Sequence, residues 1–216
     1  MLNLSYALKG LVAASFAATL FSISCGSKDL DTQVASTVSV SPTPTTQTDA
    51  TTPMSELLSR DDCRGFYEAF PKTFKEFDEL YGYEDGNGGG KLYPKYEEQI
   101  PYFFNCSEVS STERIRKIIS IGINGKWDAD AVGLFQDLAL KAVKTNTVAA
   151  RQMLDALPEK EASSFWYFLF DGPHPEDKQK RANFAAIQDL LGPKSKQSEL
   201  LEKQFEILLK LEKGGS

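Results

Sequence analysis

The sequence predicts an all-α domain, either a helical bundle or a short stack of antiparallel helical hairpins, closed by one disulfide. Three observations lead there. From Cys63 to Leu209 apolar residues recur at spacings of three and four, the period that gathers side chains on one face of a helix. Capping and breaking residues punctuate those stripes at short intervals, and no segment alternates apolar with polar as a half-buried strand would.

In chain order, Phe66, Phe70, Phe74, Phe77 and Tyr81 form an aromatic stripe that Pro71 kinks or splits, since proline lacks the amide proton and clashes with the preceding turn. Ser110 and Glu113 have the spacing of a capping box, with Ile115, Ile118 and Ile119 on one side of the helix that follows and Gly122 at its end. Asp128 is expected to cap the next helix and Trp127 to staple against Val132, with Phe135, Leu138 and Ala142 continuing the stripe. Asn146 is expected to cap a short helix carrying Ala150, Met153, Leu154 and Leu157. Pro158 suits the first turn of its successor, whose Glu159 and Glu161 complement the positive end of the helix dipole. Pro175 opens a helix with Phe184, Ile187, Leu190 and Leu191, ended by Gly192-Pro193, and Ser195 caps a last one with Leu201, Phe205, Leu208 and Leu209. Short connections favour antiparallel neighbours. No exact internal repeat is present, though the helical pairs are alike enough in length for a degenerate array.

The first residues have a different character. Lys9 precedes an uncharged apolar stretch from Leu11 to Ile23. That is shorter than the ~20 residues a membrane span needs and suits the apolar region of a cleaved signal peptide. Directly after it stands Ser22-Ile23-Ser24-Cys25-Gly26. This segment resembles the lipobox of bacterial lipoproteins, although Ser22 stands where Leu or Val is commonest. The resemblance implies that residues 1–24 are removed and that Cys25 is the lipid attachment site. The small residues Ser22 and Ser24 also suit ordinary secretory cleavage, which would cut the same bond. Cysteine parity favours lipidation, because unmodified Cys25 would leave an odd thiol beside Cys63 and Cys106. Gly26, rather than Asp, after the cysteine implies the outer membrane, facing either the periplasm or the outside.

Residues 25–54 read as a tether. Beyond Ser27 they are almost wholly Ser, Thr, Pro and small residues, too poor in apolar surface to offset the entropy of ordering. As a random coil such a tether reaches on the order of 30 Å. Residues 55–213 then form a single helical domain, long enough for a sizeable core. Outside the cytoplasm Cys63 and Cys106 are expected to oxidise together, closing a loop that stabilises the fold by roughly 4 kcal/mol in the chain-entropy account. They lack the close spacing of a redox-active pair.

The chain carries a net charge of −6, and removal of the leader takes away Lys9 and no acid. Nucleic acid is therefore not an expected partner. Between Glu56 and Glu98 there are eleven acidic and six basic side chains, whereas Gln99 to Ser216 balances sixteen against sixteen, so a charged partner should approach the N-terminal half.

Three motifs invite a chemical reading. Asp85 and Asn87 occupy the first and third positions of a calcium-loop pattern, but Gly89 and Tyr96 fail it at the fifth and twelfth, which leaves a flexible surface turn. The run from Ser164 to His174 is apolar around the helix: Phe165, Trp166 and Leu169 share one face, while Tyr167, Phe168 and Phe170 point elsewhere. Either it is central and covered on both flanks, or it presents an aromatic groove in which Trp166, Tyr167, Phe168, Phe170 and His174 contact a partner. His174 is the only histidine, which excludes a multi-histidine metal centre. No nucleophile motif is present, and no catalytic residue, cofactor or metal is expected. The sequence thus points to a membrane-anchored lipoprotein of the cell envelope whose helical domain binds a protein or peptide. The alternative is an extracytoplasmic small-ligand carrier or enzyme with an aromatic-lined pocket between helices.

Overall fold

The computed structural model describes residues 51–84 and 88–214, all within one compact unit. The leader, Cys25, most of the tether and the Asp85/Asn87 pair of the calcium-loop pattern lie outside the described residues. Among the described residues the chain is all-α: ten helices, one two-residue ladder and a disulfide between Cys63 and Cys106. None of these helices is long and apolar enough to cross a membrane.

Helix α1 (Thr51–Ser59) begins inside the stretch read as tether, and its Met54 is fully buried. The aromatic stripe splits at Pro71 as its chemistry requires. Helix α2 (Cys63–Ala69) is capped by Asp62 and helix α3 (Phe74–Tyr81) by Thr73. β1 (Tyr83–Glu84) pairs antiparallel with β2 (Gly88–Gly89), Tyr83 opposite Gly89. A 3-10 turn over Tyr93–Lys95 then leads into α4 (Tyr96–Asn105), which the sequence did not announce because Pro101 lies inside it. Its Ile100, Phe103 and Phe104 are buried.

Helix α5 (Ser111–Gly122) carries the full capping box, with the Ser110 hydroxyl accepting from the Glu113 amide and the Glu113 carboxylate accepting from the Ser110 amide. Helix α6 (Asp130–Thr145) starts two residues beyond the expected cap. Asp128 does not cap it, because its carboxylate accepts the amide proton of Tyr83 at 2.6 Å. Trp127 is 38 % exposed and lies close against Gly172, with its ring also near Gly133 at the start of α6. Only Asn146 separates α6 from α7 (Thr147–Asp155), and its amide donates backwards to the Ala142 carbonyl instead of capping α7.

Helix α8 (Glu159–Phe170) is followed by α9 (Lys178–Leu191), capped by Asp177 rather than opened by Pro175, and α10 (Lys196–Gly214), whose first turn accepts support from the Ser195 hydroxyl. Gly192 ends α9 in the left-handed region at φ 85°.

Helix α8 occupies the centre, touching α5, α6 and, most extensively, α10. Its rings join two aromatic clusters. On one side Phe168 meets Phe74 and Phe135 at centroid distances of 5.6 and 6.3 Å, continuous with the stacked Phe70–Phe103 pair. On the other, Phe170 meets Phe205, which stacks on Phe184 at 4.4 Å. A helix apolar on every side is stable in water only when covered like this.

Candidate functional site

The expected aromatic groove on α8 is not formed. Trp166 and Phe168 are fully buried and Phe170 is 1 % exposed, because α5, α6 and α10 each cover a different flank of the helix. The approach is close: a β-carbon on Gly125 would fall 2.5 Å from Phe168. Tyr167 is half-buried, with its hydroxyl pushed upward in pKa by that burial and then by Asp171. His174 is exposed in the loop after α8 and does not form a groove with the buried rings. The Cys63–Cys106 pair is joined as expected, with α-carbons 5.4 Å apart.

A partly exposed aromatic surface lies elsewhere, beside the two-residue ladder, with Tyr83 exposed and Tyr93 and Tyr96 half-buried. At the end of α3 the Gly82 amide bonds the Asp78 carbonyl, and the chain turns outward into β1. It returns through Gly90, and Leu92 anchors the return by burying its side chain and bonding the Leu80 carbonyl at 2.8 Å. This path gathers Tyr83, Tyr93 and Tyr96. Tyr83 and Tyr93 lie 5.1 Å apart at an angle of 45°, and Tyr93 and Tyr96 5.3 Å apart at 39°. Gly89 makes the arrangement possible, since a β-carbon there would fall 2.6 Å from the β-carbon of Tyr93.

Carboxylates ring these tyrosines. Burial first, then Asp130, raises the pKa of the Tyr93 hydroxyl. Burial first, then Glu97, does the same for Tyr96, with Asp130 contributing again. Tyr96 donates to Glu97 at 3.4 Å. Asp128 reaches the patch from the loop before α6, which is fastened at its other side by the Trp127 amide donating to Asp171 at 2.7 Å. A recess of about 520 Å³ adjoins Tyr83, lined also by Asp78, Glu79, Lys126 and Asp128. Lys126 and Asp78 reach onward into a second recess beside Phe74 and Glu161.

Tilted ring faces with carboxylates at the rim offer a cation both quadrupole attraction and an ion-pair partner. They do not form the flat platform on which a sugar ring stacks. No nucleophile paired with a base is among these residues. The sequence held part of the signal, three tyrosines within 83–96 beside a glycine run in the acidic half of the domain. It could not show that Asp128 and Asp130 fold back onto them.

No protein-family model, no curated protein and no solved structure matches this chain.

Proposed function

We propose that this protein is a lipid-anchored interaction module of the bacterial cell envelope, not an enzyme, which holds a protein or peptide through a cationic segment docked on Tyr83, Tyr93 and Tyr96. Cys25 carries the lipid, the Ser/Thr/Pro-rich stretch gives reach from the outer membrane, and the helical domain supplies the docking face. The observation that carries this reading is the tilted tyrosine array, with Tyr83 exposed and Tyr93 and Tyr96 half-buried, flanked by Asp128, Asp130 and Glu97. Its charge complements Lys or Arg side chains, and the acidic excess between Glu56 and Glu98 extends the attraction. The disulfide fits an oxidising compartment.

The test uses the full chain and two fluorescent peptides of equal length, one rich in arginine and one rich in glutamate. The arginine peptide should bind and weaken with salt, and Tyr83→Ala should weaken it about two- to five-fold, the equivalent of about 0.5–1 kcal/mol for one exposed cation–π contact. Adding Asp130→Asn should weaken it further. Equal binding of both peptides, or binding that the double variant leaves intact, rules out this face. A native mass spectrum of the protein taken from its own envelope tests the anchor, through a lipid increment on Cys25. The recess beside Tyr83 is what a small-ligand carrier would use. A small molecule bound to an unlipidated chain would shift the reading to a secreted carrier.

A further inference from the structure

Away from the tyrosine face, His174, Glu176 and Glu212 bring one imidazole and two carboxylates together from distant parts of the chain. His174 and Glu176 lie in the connection between α8 and α9, and Glu212 comes from near the end of α10. One donor atom from each of the three lies within 4.8 Å of the others, and all three side chains are exposed. Nδ1 of His174 is 3.4 Å from Oε1 of Glu176 and 3.9 Å from Oε1 of Glu212.

Those separations are within ion-pair reach and are also compatible with shared coordination of one ion. A charge-assisted hydrogen bond from imidazolium to carboxylate closes to about 2.7–2.9 Å, shorter than either contact here. Ligands about 2.0–2.1 Å from a tetrahedral ion stand about 3.3–3.4 Å from one another, the spacing that the His174–Glu176 pair already has. Oε1 of Glu212, 3.9 Å from the imidazole nitrogen, stands a little outside that spacing.

We infer that His174, Glu176 and Glu212 form a surface site for a divalent transition metal, with zinc the ion that fits. One imidazole nitrogen and two carboxylate oxygens match its ligand preference and leave a fourth position for water. Calcium and magnesium favour six or more oxygen ligands, which this trio does not supply. The site departs from the sequence expectation of no metal, although the exclusion of a multi-histidine centre still stands, since His174 is the only histidine. A bound ion clasps the loop before α9 to the far end of α10 and stabilises the folded chain by selective binding.

Calorimetric titration of the metal-stripped full chain with zinc chloride, in a buffer that does not chelate zinc, tests the site. One zinc per chain is expected, together with a higher melting temperature that excess calcium or magnesium does not reproduce. His174→Ala and Glu212→Gln should each weaken uptake by at least about ten-fold. Both residues are exposed, so the variants should melt like the parent when metal-free, which separates lost ligation from lost folding. Absence of uptake by the parent at micromolar zinc overturns the assignment. So does uptake that His174→Ala leaves intact, which would mean adventitious binding to surface carboxylates only.

Discussion

The indole Nε1 of Trp166 donates to Oε1 of Gln197 at 2.9 Å, and both side chains are fully buried. Gln197 passes the connection on, its amide donating to Asp155 at 2.9 Å at the end of α7. Three helices are thereby pinned at one buried point: α8 in the centre, α10 at its first turn and α7 at its last. The ring offered from sequence as a partner contact is instead held by a buried hydrogen bond in the core.

Trp166→Phe keeps an aromatic ring but removes the donor, leaving the Gln197 oxygen buried without its indole partner. A loss of about 1–3 kcal/mol is expected in urea denaturation from that unsatisfied group. Phe168→Ala should cost more, about 3–5 kcal/mol, because it empties the junction between Phe74 and Phe135. If Phe168→Ala left the urea midpoint unchanged, the ring would have to stand at the surface, and the groove reading of α8 would return.

Local rules were legible in the sequence where local groups decide the structure. The Ser110–Glu113 box, the break at Pro71 and the Gly192 stop depend on residues within a few positions, and each appears as its chemistry dictates. The failures arise where another partner outcompetes the expected one: for Asn146 it is the local Ala142 carbonyl, and elsewhere it is a tertiary contact. Asp128 bonds Tyr83 instead of capping α6. Periodicity alone could not say whether the α8 rings were covered, because that depends on α5, α6 and α10 arriving on different flanks. The tyrosine face was less legible still. Tyr83 lies ten residues before Tyr93, and although Glu97 is local, Asp128 and Asp130 arrive from more than thirty residues away.

Reduction of the Cys63–Cys106 bond should destabilise the domain without abolishing its helices. The bond closes a loop with a sequence separation of 43, for which chain entropy gives roughly 4 kcal/mol. It ties the start of α2 to the end of α4, while Phe66 also packs edge-on against Tyr102 at 5.0 Å and keeps part of that interface. Thermal melts with and without reductant should differ by about 10 °C for a domain of this size. A difference near zero would mean that the aromatic packing already confines the loop in the unfolded ensemble.

Lys117 supplies a pH-dependent contribution with a defined sign. Its ammonium bonds the Tyr67 carbonyl near the end of α2 and lies 4.6 Å from the Tyr67 ring centre, a cation at a helix C-terminus. Burial, and then the nearby Lys72, lowers its pKa from the ordinary 10.5 to about 8. Between those two values the unfolded chain holds a proton that the folded chain has released, so this contribution to stability rises as pH increases through that window. Below about 8 both states are protonated and the contribution is flat. Urea midpoints compared from pH 7 to 9.5 should therefore rise more in the parent than in Lys117→Met, where the term is gone. That range stays below the region in which Tyr67, whose pKa burial raises, begins to act in the opposite direction. A side-chain NMR titration should place the Lys117 midpoint near 8, well apart from solvent-exposed lysines. A midpoint above 10 would mean that the Tyr67 carbonyl and ring hold the charged form more strongly than burial opposes it.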